Sequence, residues 1–185
     1  SWGELGRSAR RASIGFVPQD PIVISSNLRE NICLGRAIQP DHLEEAITIS
    51  QLANDMTAFP DGLDTRLGER GVTLSGGQQQ RLALARALVG RPRVLILDDA
   101  TAALDADTET ALWEGLEKLL PTMATLVVTH RAATIQRADR VVVLDDCQIA
   151  QIGSHTELVD VPGPYRRIYG MLETSDASWS GQFRI

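Results

Sequence analysis

Leu74-Ser75-Gly76-Gly77-Gln78, followed by Gln79-Gln80-Arg81, puts a serine and two glycines where a helix begins. Glycines at a helix start leave backbone N–H groups open to an anion, and the serine hydroxyl adds a donor beside the positive end of the helix dipole. That is phosphate-contact chemistry; the alternative is a serine that only caps its own helix. Twenty residues after Gln78, the apolar run Val94-Leu95-Ile96-Leu97 delivers Asp98 and Asp99. Acids at the carboxyl end of a buried strand stand where open α/β sheets bind ligands. The first can hold Mg2+ and the second can polarise a water, unless the pair simply caps the next loop. Thr129-His130 ends the following apolar run, where an imidazole can donate to a terminal phosphate or serve structure alone.

The elements that must position these groups follow from periodicity. Residues 13–18 read as a short strand closed by the turn Gln19-Asp20-Pro21, because a residue before proline avoids the helical region. From Asn27 to about Gly90 the pattern is helical. Asp41-His42-Leu43-Glu44 reads as a capping box opening a helix with Leu43, Ala46, Ile47 and Leu52 inward, and Pro60-Asp61-Gly62 marks a turn. Ser75-Gly76-Gly77-Gln78 is a second capping box, opening a helix through Leu82, Ala85, Leu88 and Val89 that stops at Gly90 before Pro92. Beyond Pro92 the continuous run 94–97 is typical of a strand buried on both faces, as in parallel sheets. Residues 107–120 form an amphipathic helix with Leu112, Leu116, Leu119 and Leu120 on one stripe, and 125–129 a further strand, which together make a βαβ unit. Residues 141–144 and 148–152 pair as a hairpin around Asp146-Cys147. A left-handed turn there costs a non-glycine residue about 1 kcal/mol or more, so another turn type is expected.

Composition narrows the function class. At 185 residues with 43% apolar and 23% charged residues the chain suits one folded domain, or one lacking a piece. No aliphatic run approaches the roughly 20 residues of a membrane span, and the first residues lack the apolar core of a signal peptide. Cys33 and Cys147 have no metal-like spacing, which fits a reducing, cytosolic setting. A net charge of −6 opposes nucleic-acid binding.

In order, these features resemble the nucleotide-binding domain of an ATP-binding cassette (ABC) transporter over almost the whole chain. The resemblance implies an α/β fold: the RecA-like parallel sheet of the ABC ATPases, incomplete and lacking its Walker A strand, with an inserted α-helical subdomain. By resemblance Gln19 is the Q-loop glutamine on Mg2+, Leu74–Gln78 the signature, Val94–Asp98 the Walker B strand, Ala102-Ala103-Leu104-Asp105 the D-loop and His130 the switch histidine. The implied domain plan is residues 1–25 ending the catalytic lobe, 26–90 the helical subdomain, 91–173 the rest of the catalytic lobe and 174–185 a flexible tail. Thr65-Arg66-Leu67-Gly68-Glu69-Arg70-Gly71 and 21–34 resemble exporter segments. That implies ATP and Mg2+ as ligands, a second nucleotide-binding domain as partner, and contact with the coupling helices of a membrane domain through the Q-loop region and the Glu69 loop. A place on the cytoplasmic face of the plasma (inner) membrane, through a fused membrane domain, follows.

The sequence departs from that pattern in three places. No Gly-x-x-x-x-Gly-Lys-Ser/Thr loop is present, since Lys118 is the only lysine and lies within an amphipathic helix; the expectation is that this loop lies upstream and that the fragment alone does not hydrolyse ATP. Asp99 replaces the family's usual glutamate, which retracts the carboxylate by about 1.5 Å and resembles the degenerate half of a heterodimer. Cys147 replaces a usual glycine. Competing readings are a non-transport ABC ATPase of the DNA-repair or chromosome-maintenance kind, disfavoured by the absence of heptads between Gln19 and Ser75, and a non-catalytic remnant.

Overall fold

In the computed structural model, residues 6–68 and 71–180 are described, the side chains of 173–180 excepted. The chain divides into two compact units that meet in sequence between Val128 and Thr129.

The first unit opens with α1 (Arg7–Ala12) and β1 (Ile14–Val17), then α2 (Leu28–Cys33) and α3 (Pro40–Ile49). A 3-10 segment (Leu52–Ala58) leads toward α4 (Gly76–Leu88), followed by β2 (Val94–Asp98), α5 (Ala106–Glu117) and β3 (Ala124–Val128). The sheet order is β1-β2-β3, all parallel, with Val17 opposite Leu97 and Asp98 opposite Val128. Leu82, Leu84, Leu95, Leu97, Leu112 and Leu116 fill the core between sheet and helices. The helix α4 lies so close to β1 that a Cβ on Gly15 would meet the Ala87 carbonyl oxygen at 2.7 Å, so only glycine fits there. The opposite face of the sheet is apolar and open: Phe16, Leu126 and Val128 are each more than half exposed, at 53, 57 and 55%. Parallel sheets ordinarily cover both faces.

The second unit holds α6 (Ala132–Arg137), the antiparallel pair β4 (Val141–Asp145) and β5 (Gln148–Gly153), α7 (His155–Leu158) and α8 (Pro164–Ser180). Its own core is Ala132, Val143, Leu158, Tyr165 and Tyr169. Among the described residues no helix is long and apolar enough to cross a membrane.

Several elements differ in detail from the sequence expectation. The helix expected to be capped by Asp41 begins two residues earlier: Gln39 is its N-cap and makes no side-chain cap, and Pro40 takes the first helical position that its ring favours. No capping box forms at Asp41-Glu44. The stripe of α5 keeps Leu112 and Leu116 fully buried but ends before Leu120, which is 43% exposed in a 3-10 turn (Leu120–Thr122) that Pro121 enforces. The interior of α5 instead takes Trp113 and Glu109, four apart on one face, with the indole N–H donating to the carboxylate at 3.4 Å. The hairpin turn at Asp146-Cys147 is left-handed at both residues, with φ of 46° and 59°. The right-handed twist of the paired strands selects that turn and overrides the steric preference of Cys147.

Candidate functional site

Asp98 is the last residue of β2 and is half-buried. Asp99 then turns left-handed, with φ of 48°, while its N–H donates to the Val128 carbonyl at 2.8 Å and its own carbonyl accepts the Ala102 N–H at 3.2 Å. Aspartate tolerates this region better than most residues because its short side chain can bond locally. Gln19 leaves β1 two residues past Val17, as Asp99 leaves β2 two past Leu97, so the glutamine and the acids stand at one edge of adjacent parallel strands. Among the described residues no group of three or more His, Cys, Asp or Glu could hold a metal. One carboxylate with one carboxamide is a hard-oxygen donor set that suits Mg2+, which commonly completes its shell with phosphate oxygens and water.

The Leu74–Gln78 turn is built by reciprocal hydrogen bonds. Ser75 Oγ accepts the Gln78 N–H at 3.3 Å, and Gln78 Oε1 accepts the Ser75 N–H at 3.0 Å, the capping box that the sequence predicts. An accepting hydroxyl still has its proton to donate, so capping and anion contact are compatible at Ser75. Leu74 is buried and anchors the turn, while Ser75 and Gly76 are exposed at the start of a 13-residue helix. Gln78 Nε2 donates to Asp55 at 3.2 Å, and the same carboxylate takes Arg81 through two bonds of 2.7 and 2.9 Å.

Asp105 is the N-cap of α5: its two oxygens accept the Thr108 N–H at 2.9 Å and the Thr108 hydroxyl at 2.8 Å. The Thr108 N–H, and then its hydroxyl, hold the Asp105 carboxyl below its ordinary value. His130 is exposed and belongs to the second unit, two residues beyond the end of β3. Glu69 lies outside the described residues. Cys33 is buried, which pushes its thiol up and keeps it protonated, and Cys147 is exposed at the hairpin tip.

Sequence reasoning missed the side chains that fasten this site. Arg86, on α4, donates to the Asn31 carbonyl at 2.7 Å, the Ile22 carbonyl at 2.8 Å and Asn31 Oδ1 at 3.3 Å. Asn31 is wholly buried and exchanges two hydrogen bonds with the Ile24 backbone, so the stretch after Gln19 is tied to α4. Arg36 lies nearby, donating to the Arg86 carbonyl and to those of Ile32 and Cys33. Burial, and then the charge of Arg36, lower the Arg86 pKa. Buried Gln80 accepts the Ala103 N–H at 3.1 Å. The one available signal was arginine and glutamine on the apolar side of the helical pattern after Gln78, where charged and amide groups need partners.

A family model described as ABC transporter matches residues 2–102. The ABC transporter ATP-binding protein YwjA of Bacillus subtilis is 45% identical over 90% of this chain and 29% of its own length. An ATP-dependent lipid A-core flippase of Burkholderia pseudomallei is 41% identical over 90% of this chain and 28% of its own length. The structure of a bacterial Atm1-family ABC exporter with ATP bound superposes with a TM-score of 0.82 at 35% identity, covering 89% of this chain and 29% of that one. The chain thus spans less than a third of the length of the relatives it matches.

Proposed function

Because the chain belongs to the ABC transporter family, its matched region being the ATP-binding one, we propose that it is part of the nucleotide-binding domain of an exporter that couples ATP binding and hydrolysis at a cassette dimer to movement of a substrate across a membrane. The observation that carries this is the convergence of Gln19, Asp98 and Asp99 at one edge of the β1–β2 pair, in a fold shared with an exporter that has ATP bound. In this reading Asp98 and Gln19 hold Mg2+ and Asp99 orients the attacking water. The signature Leu74–Gln78 contacts the phosphates of ATP held by a second nucleotide-binding domain, with Asp105 at the same interface. His130 is read separately, as a donor to a terminal phosphate.

The exposed apolar face of the sheet supports a further expectation, that additional chain of the intact protein covers this face and carries the phosphate loop. Localisation follows from the reading: the domain works on the cytoplasmic face of the membrane, joined to a membrane domain whose coupling helices meet the Gln19 region and the loop at Glu69.

Asp99 makes this the slow half of an asymmetric pair. A carboxylate drawn back by about 1.5 Å from its water is a poor base, because proton transfer needs contact within about 3 Å. In the full-length protein with its partner, D99E raises ATP turnover, measured as phosphate release; turnover at or below wild type sinks the slow-half assignment. Absence of Mg-dependent ATP binding in that same preparation would sink the larger reading.

A further inference from the structure

Resting on the reading of the signature and the D-loop as nucleotide-contacting elements, we infer that Gln80 is a positioning residue that clasps the Ala102–Asp105 loop to the signature helix, so that the two present one fixed surface. Gln80 is only 5% exposed, and the buried face of α4 otherwise consists of Leu82, Ala83, Leu84, Ala85, Ala87 and Leu88. A carboxamide in such a setting costs stability unless it is bonded. Its Oε1 accepts the Ala103 N–H at 3.1 Å.

The neighbouring geometry makes that bond a clasp rather than an incidental contact. Gly77 lies one turn before Gln80 on the same side of α4, and a Cβ there would meet the Ala103 carbonyl oxygen at 3.1 Å. The N–H and the C=O of a single peptide residue are therefore both held against α4, one by a hydrogen bond and one by close packing. Ala102 and Ala103 form an exposed crest between buried Thr101 and Leu104. The Ala102 N–H reaches back to the Asp99 carbonyl, so the clasp ends one hydrogen bond from the proposed base. Misplacement of a catalytic element by about 1 Å can cost about a hundredfold in rate, which is why a residue touching no substrate matters here.

The test uses the full-length protein with its partner and three variants. Q80M keeps the length and removes the acceptor; Q80E keeps an acceptor oxygen at the same reach; Q80N keeps the amide but falls one methylene short. Amide hydrogen exchange of residues 100–105 is expected to quicken about tenfold or more in Q80M, with exchange inside α4 unchanged. Turnover is expected to fall about tenfold with KM for Mg-ATP within about twofold, and Q80E to recover most of the rate. Should Q80M also loosen α4, Q80N carries the same expectation. Unchanged exchange at 100–105, an unchanged turnover despite faster exchange, or a Q80E protein no better than Q80M overturns the inference. Wild-type protein without ATPase activity would instead overturn the functional reading, while the exchange result still decides whether the clasp exists.

Discussion

The carboxylate of Asp55 grips the guanidinium of Arg81 through two hydrogen bonds, 2.7 and 2.9 Å long, across 26 residues of sequence. Both side chains are largely shielded, and the same carboxylate also receives Gln78, the last residue of the Leu74–Gln78 turn. The 3-10 segment carrying Asp55 thereby fixes the start of α4 from outside the helix.

Asp55→Ala should lower stability by about 2–3 kcal/mol, because it leaves a shielded guanidinium without its acceptor. The double variant D55A/R81A should be less destabilised than the sum of the single variants, measured by denaturant melts of the same preparation. Additive losses would mean that the pair contributes little.

Arg86→Lys should cost about 1–3 kcal/mol even though charge is kept. One ammonium cannot span the Asn31 carbonyl, the Asn31 side chain and the Ile22 carbonyl that the planar guanidinium reaches together. Faster amide exchange over residues 22–31, with little change at β3, is the expected signature.

Asp105→Ala should destabilise α5 by about 1 kcal/mol at neutral pH, as loss of an N-cap does. The folded carboxyl sits below its ordinary value, so its contribution is present above the unfolded carboxylate pKa of about 3.9 and is lost as pH falls through the lower folded value. Wild type and D105A should therefore converge in stability toward the acid end of a pH series. A gap that stays constant with pH would contradict the capping role.

Cys147→Gly should stabilise the second unit by about 0.5–1 kcal/mol, since Cys147 occupies a left-handed φ of 59° that glycine adopts without steric cost. A thermal melt that is unchanged or lower would show that the thiol makes a compensating contact.

Asp99→Glu carries a structural consequence beside its effect on turnover. With φ of 48°, position 99 favours aspartate over glutamate, so the variant that raises ATP turnover should also melt slightly lower.

What the sequence determined by itself is the set of local features. The capping box at Ser75 and Gln78, the apolar strand ending in Asp98, which buries one face rather than the two expected, and the hairpin at residues 141–152 all rest on interactions within a few residues, where periodicity and side-chain reach are visible in order along the chain. The tertiary structure alone decided the fastenings: Asp55 on Arg81 and Gln78, Arg86 on Asn31 and Ile22, and Gln80 on Ala103 join residues that no spacing rule connects. It also decided the left-handed turns at Asp99 and Cys147; at Cys147 the angle is set by the flanking strands β4 and β5, which outweigh about 1 kcal/mol of steric preference and so leave no mark on the residue type. Local bonds can be read in sequence because their partners are neighbours; the bonds that hold the site together cannot, since their partners meet only once the core has formed.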